Sequence, residues 1–563
     1  MAAFQGSIEA NFCTSVNNAL RARNGQQLLS ILQLEPPFGD IYQQLIQSLQ
    51  SRKQRDSAKT DEQLESIVRN GVPETHEGED EEGRPVANWT PMVTFLAAWM
   101  AFIRDVNVEN LLETYERLSD LQQKANSALQ HPTKGILILP TVIAYAKVFS
   151  RVAIGLDNRP ELIQHLISTS TSDEGRRESL PEKAANILRT AFITCLNDRN
   201  TAPRGITKSG QPSGKKIGIY KMANISLKIL FQCEKLENAQ MIFNNIQNSS
   251  PPLSIYPASE RVTYLYYLGR FQFATTNFHS ALLCLQKAYD DCPTAPFALA
   301  QRRKILIYLL ASNILLGRFP TPSLYSRPEA RGLAPIFTPL TTAIRKGDLE
   351  SFRRITALDL SHPSAPFFLR HRIFYQLGNY CEIYVWRSLF RRVFLLTGSQ
   401  GQSERAAPTL DLHAVLLAFT RLEQRALMTP AMSQANSRPG DRHISFAFAD
   451  YTTPPASSGY IDPDFADMPD VKPYFRTRDI EEIEAICGSL VLGGFLSGYI
   501  SRRSRRFAIQ GARRAGSAVK AGFPGVWEVL RKRAEAEGMG EGNGWGEWRR
   551  GVVRLAGARP AGS

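Results

Sequence analysis

Apolar residues recur every three to four positions over most of the chain, the spacing of helices that bury one face. Residues 4–50 hold two such stretches on either side of EPPFGD (35–40), where Pro36, Pro37 and Gly39 cannot continue a helix. Over 51–88 the period dissolves into SRKQRDSAKTDEQ and ETHEGEDEEGRP, with six acids between Glu74 and Glu82, and the pattern predicts a solvated, disordered acidic linker. The period returns over 89–216, in segments such as VENLLETYERLSDLQQ and EKAANILRTAFITCL, and again over 217–397, where amphipathic helices follow one another without strand-like alternation.

In that second block Leu265, Leu268, Gly269, Ala281, Leu285, Ala288 and Pro293 stand at tetratricopeptide spacing. Small Gly269 and Ala281 allow two antiparallel helices to approach closely. Gln272 occupies the position where that repeat has a large aromatic, so the match is to a helix-pair solenoid more than to a named repeat. Beyond Gly398 a helix (411–427) precedes an insert over 428–476 with seven prolines between Pro430 and Pro473, predicted to be irregular. Next comes a helix opened by Asp479 with acids in its first turn, and then two β-prone runs, GYIS and FAIQ, joined by a cationic turn. Helix, helix and hairpin is the order of a winged helix. The expected fold is therefore all-α: a TPR-like helical-repeat solenoid of an N-terminal helical segment (1–50), the linker, helical repeats over 89–216 and 217–397, and a capping C-terminal winged helix over 398–527. A flexible basic, Gly-rich tail (528–563) follows.

Composition narrows the class. With 43% hydrophobic and 21% charged residues the chain has ordinary globular usage. The longest apolar runs, 91–103 and 135–149, are shorter than a membrane span of about 20 residues, and the second contains Pro140, so no membrane partner is expected. The N-terminus lacks the cationic and apolar regions of a secretory signal, which predicts a protein kept inside the cell. Seven scattered cysteines without a C-x-x-C pair argue against a disulfide framework or a zinc ribbon.

A net charge of +14 suggests a polyanionic partner. Most of it is concentrated late in the chain. Between Arg502 and Arg533 ten cations face one acid, Glu528. The candidate nucleic-acid contacts are Arg502, Arg503, Arg505 and Arg506 at the hairpin tip, with Arg513, Arg514 and Lys520 beyond it, because a planar guanidinium fork can bind two phosphate oxygens at once. The same tip also reads as a solvated edge hairpin or a nuclear-localisation patch. Arg391 and Arg392 could extend the basic face or simply form the exposed stripe of an amphipathic helix, and Tyr264, Tyr266, Tyr267, Phe271, Phe273 and Phe278 read as core more than as base-stacking platforms. Phosphate-loop, dinucleotide, nucleophile-elbow and H-E-x-x-H motifs are all missing. His362 and His371, the closest histidine pair, have no carboxylate-rich helix beside them. No catalytic residue, cofactor or metal is expected.

The segments RVTYLYYLGR (261–270), RKILIYLLASNILLGRFPT (303–321), SLFRRVFLL (388–396) and GYIS (498–501) resemble the PCI-domain subunit of the nuclear-pore-associated mRNA-export complex. They also resemble its close paralogue, the twelfth-subunit-like protein associated with the COP-nine signalosome. LEPPFGDIYQQL and ANWTPMVTFLAAW carry a weaker likeness upstream. The resemblance implies a PCI domain without enzymatic activity, bound to a large scaffold subunit and a small acidic protein that stabilises it, holding RNA or double-stranded DNA through the winged helix. It places the protein in the nucleus, at the envelope and pore, with the cytoplasm as a second compartment. The alternative it leaves is a signalosome-associated interaction scaffold that does not touch nucleic acid.

Overall fold

A computed structural model describes residues 8–51, 57–76, 78–79, 85–107, 109–162, 179–199, 201–356, 362–400, 406–427, 468 and 478–536. Its described residues divide into two compact units, one containing those to Phe271 with Asp290–Cys292, the other Gln272–Tyr289 and those of 293–536. Both are helical, and the all-α helical-repeat expectation holds.

The first unit begins with three helices, α1 (Ile8–Arg21), α2 (Gly25–Ile31) and α3 (Asp40–Ser51), where the pattern predicts two. Asn24 divides α1 from α2 because its side chain accepts the backbone N–H groups of Gln26 and Gln27, an N-cap no apolar period reveals. The acidic linker is corrected in part. Ser57–Gly71 forms a helix, α4, that packs on α1 and on α5 (Thr90–Asp105) through Leu64 and Val68, and Gly78–Glu79 (β1) pairs with Pro85–Val86 (β2). Among its described side chains two buried residues, Leu64 and Val68, anchor α4, fewer than the charges around them, so composition masks the helix.

Helices α6 (Leu111–Leu129), α7 (Leu139–Asp157), α8 (Leu180–Leu196) and α9 (Ile219–Gln232) then pack each on the next, and α10 (Leu236–Ser249) follows on α9. Trp89, fully buried, donates its indole N–H to the Ala128 carbonyl at 2.9 Å, and Tyr145 donates to the Leu32 carbonyl at 2.8 Å. The second apolar run is longer than the sequence suggested. Pro140 sits in the first turn of α7, where a missing N–H costs nothing, and Lys134–Asp157 is long and apolar enough by length and composition to cross a membrane. Half of that stretch is buried, with Val142, Ala146, Phe149 and Ala153 fully covered.

The helix Ala258–Ala274 (α11) carries the tetratricopeptide residues with α12 (Phe278–Asp291), and its aromatics are core as expected. In the first unit Tyr264 meets Tyr220 and Phe243, Tyr267 meets Phe231, and Phe271 meets Phe243. In the second, Phe273 meets Phe278 and Tyr308.

The second unit continues with α13 (Leu299–Leu315), α14 (Pro322–Tyr325), α15 (Ala334–Lys346), α16 (Leu349–Thr356), α17 (Ala365–His371) and the 24-residue α18 (Phe374–Thr397). Gly347, left-handed at φ 68°, ends α15 and lies against the α18 backbone: a Cβ there would stand 2.4 Å from the Leu389 nitrogen. The capping module has α19 (Leu412–Leu427), α20 (Ile480–Leu492) and a three-stranded sheet in the order β3 (Thr409–Asp411), β5 (Arg506–Ile509), β4 (Gly498–Ser501), antiparallel throughout. Ile483, Ile486, Cys487 and Leu490 of α20 and Phe507 and Ile509 of β5 are buried, and burial pushes the Cys487 thiol up to about 12. The predicted insert lies outside the described residues apart from Met468. The boundary at 527 is corrected, because Val526–Ala536 is a helix, α23, whose Trp527 lies under the Arg318 guanidinium at 4.9 Å. Residues 537–563 of the expected tail lie outside the described residues.

Candidate nucleic-acid interface

The hairpin tip is a built turn. Ser501 pairs with Arg506 across β4 and β5, the Arg505 N–H reaches the Arg502 carbonyl at 3.4 Å, and Arg505 takes the left-handed conformation at φ 50°. The Ser504 hydroxyl donates to Ser501 at 2.7 Å, and the Arg505 carbonyl accepts the Leu412 N–H at 3.1 Å, which ties the turn to the start of α19. Arg502, Arg503 and Arg505 therefore stand together on one short exposed turn, and exposed Arg506 opens β5 directly after it.

Arg513, Arg514 and Lys520 are placed elsewhere. They follow the far end of β5, after the left-handed Gly511, on α21 (Ala512–Ala515) and α22 (Ala518–Gly522), and all three are exposed. Four extended residues of β5 separate Arg506 from Ile509 by about 10 Å, so the seven predicted contacts form two basic groups at opposite ends of one strand. Among the described residues Arg503, Arg513, Arg514 and Lys520 make no ion pair. Later cations of the run serve the fold: Arg533 donates to the carbonyls of Leu492 and Gly493 at 3.2 and 2.8 Å, and Arg531 pairs with Glu535. Arg391 and Arg392 are exposed on α18, and Arg392 donates to the Lys346 carbonyl at 3.3 Å.

Sequence reasoning missed the carboxylates opposite the tip. Asp479 caps α20 by accepting the Glu482 N–H at 2.7 Å, and buried Arg478 holds the Glu482 carboxylate at 2.7 Å. Glu481 and Glu484, three residues apart on the same helix face, point at the wing: Arg505 Nη2 stands 3.8 Å from Glu481 Oε1, and Arg502 Nε 3.7 Å from Glu484 Oε2. The signal was present in IEEIE, which the reading of the helix dipole treated only as a favourable first turn. Among the described residues no three His, Cys, Asp or Glu side chains gather into a metal-binding group.

The arrangement can meet a polyanion by charge at an exposed turn. No protein-family model matches the chain. It is similar to a PCI domain-containing protein of Schizosaccharomyces pombe, 27% identical over 393 residues that cover 70% of this chain and 80% of that one. A protein named CSN12 homolog from Neurospora crassa is 26% identical over 415 residues, 70% of this chain and 84% of its own. PCI domain-containing protein 2 of Xenopus laevis is 30% identical over 246 residues, 44% of this chain, and the match spans 55% of that protein. The names of these relatives support a PCI-domain protein of the CSN12-like type.

Proposed function

We propose that this CSN12-like PCI protein is a non-catalytic subunit of an mRNA-export, transcription-coupled assembly that contacts RNA or double-stranded DNA through its wing. Its helical array would bind a large scaffold subunit and a small acidic protein that stabilises it, and the protein would work in the nucleus at the pore. One observation carries the nucleic-acid reading: three arginines on a turn whose backbone is fixed from both strands and from α19, with Arg506 beside them at the start of β5 and Arg503 unpaired among the described residues. Phosphate contacts of this kind position a protein without reading bases, so the contact would be sequence-independent.

The test is a salt titration of oligonucleotide binding with the variant in which Arg502, Arg503, Arg505 and Arg506 are all changed to Glu. Each lost phosphate contact flattens the slope of log affinity against log salt by about 0.9 for duplex. Weaker binding, a flatter slope and unchanged melting support the reading, whereas unchanged affinity and slope in a folded variant move the contact to Arg513, Arg514 and Lys520. A second reading, a signalosome-type scaffold in which the wing meets protein, is favoured by the two wing arginines already facing carboxylates and by the CSN12 names of the fungal relatives. Loss of a co-purifying protein in the same variant, with no change in oligonucleotide binding, would select it. Tagging the full chain in cells and following its enrichment at the nuclear rim checks the location.

A further inference from the structure

The helix that would enter a groove carries the wrong charge for it. In helix-turn-helix modules the second helix lies in the major groove and its N-terminal residues meet the base edges. Here that helix is α20, and its first five residues include Glu481, Glu482 and Glu484. An uncapped helix N-terminus would welcome phosphate, yet Asp479 already occupies the cap. Glu482 is held by Arg478, which leaves Glu481 and Glu484 as the acids on the wing side. The side chain of Glu484 is only 16% exposed, so its charge is screened less than that of a free surface carboxylate.

Resting on the nucleic-acid reading above, we infer that Glu481 and Glu484 are specificity-determining residues that weaken the hold on double-stranded ligands relative to single strands. They act in two ways. They stand where α20 would have to approach the paired phosphate rows of a duplex, which carry one charge per about 1.7 Å of axis. They also engage Arg505 and Arg502, so a duplex must compete for the tip cations with carboxylates 3.8 and 3.7 Å away. A flexible single strand can follow the exposed outer side of the tip, past Arg503, without approaching α20.

The experiment compares the full chain with its E481Q/E484Q variant, using a 20-base-pair duplex and a 20-nucleotide single strand as probes in a salt series. Glutamine keeps the size and removes the charge. A unit-charge interaction at about 4 Å in water is worth a factor of about five, so removing two should raise duplex affinity about tenfold or more and single-strand affinity about twofold. The duplex slope should steepen by up to about 1.8 as two arginines become free for phosphate. An E109Q/E237Q variant, which has the same net charge but neutralises two exposed acids of the first unit, should leave the preference unchanged. Duplex binding by E481Q/E484Q where the wild type binds none would also support the inference. Wild-type binding that E481Q/E484Q leaves unchanged, weakens, or raises equally for both probes overturns the inference and leaves the nucleic-acid reading standing. Absence of binding by either protein overturns both.

Discussion

The guanidinium of Arg387, midway along α18, donates from Nε to the Pro524 carbonyl at 3.0 Å and from Nη2 to the Phe523 carbonyl at 2.8 Å. One side chain thereby fastens the segment entering α23 to the long helix of the second unit. Burial, with Arg391 nearby, pushes its guanidinium down to about 10, so it stays charged at neutral pH. Replacing it by Leu leaves two carbonyls without their donors. Arg387→Leu should cost about 2 kcal/mol in denaturant melts, and Arg387→Lys, which cannot reach both carbonyls as a fork, should recover less than half of that.

Gly347→Ala should be more damaging than its single methyl suggests. The left-handed backbone disfavours any Cβ, and the new carbon would press on the Leu389 and Ser388 backbone, which cannot turn aside as a side chain could. The loss should be at least about 2 kcal/mol, read as a lowered denaturation midpoint of the second unit with helicity otherwise retained.

The first unit should respond to mild acid through His131. Its ring donates from Nε2 to the Ala87 carbonyl at 3.1 Å while Nδ1 accepts the Lys134 N–H at 3.0 Å, an arrangement that needs the neutral ring. Lys215 Nζ sits on the His131 carbonyl at 2.9 Å, and burial, aided by Lys134 and Lys215 and opposed by the Ala87 hydrogen bond, holds the imidazole below its ordinary value of 6.5. The unfolded chain then binds the proton more readily than the native one. Stability is full above pH 6.5 and falls by up to about 1.4 kcal/mol per unit as pH drops towards the native value, below which this contribution is flat. Melting of the wild type and of His131→Gln between pH 7.5 and 5 should show the slope in the first and not in the second.

Ending the chain at Gly525 should destabilise the second unit although the removed part looks like a charged tail. It deletes the Arg318–Trp527 contact, the Val526 packing on Gly317 and the Arg533 bonds to the end of α20. A loss of about 3 kcal/mol is expected, visible as a lower melting temperature than that of the full chain.

The hairpin, the two module helices and the repeat helices were legible because their apolar stripes are long or their turns strongly marked. Three features were not. Among the described residues of α4, buried Leu64 and Val68 stand among many charges, so its sequence reads as solvated although its packing on α5 fixes it. β3 is three residues long and owes its strand conformation to pairing with β5, far downstream. α23 buries Ala534 and half-buries Trp527 inside a run of cations that composition assigns to solvent. At the candidate site the residue types were legible, but their division into two groups by β5 and the opposing acids of α20 required three dimensions.

The central position of β5 has a consequence for how this module can change. Leu410 and Ile500 both pair with Phe507, so the wing is secured to a strand laid down roughly a hundred residues earlier. Closing such a loop carries an entropic cost that grows only with the logarithm of its length, about 0.6 kcal/mol for each doubling. Between α19 and α20 the chain can therefore gain or lose dozens of residues for less than the worth of one buried methyl group. Length there is open to drift, while the few residues pairing on either side of Phe507 keep the register of the arginine turn.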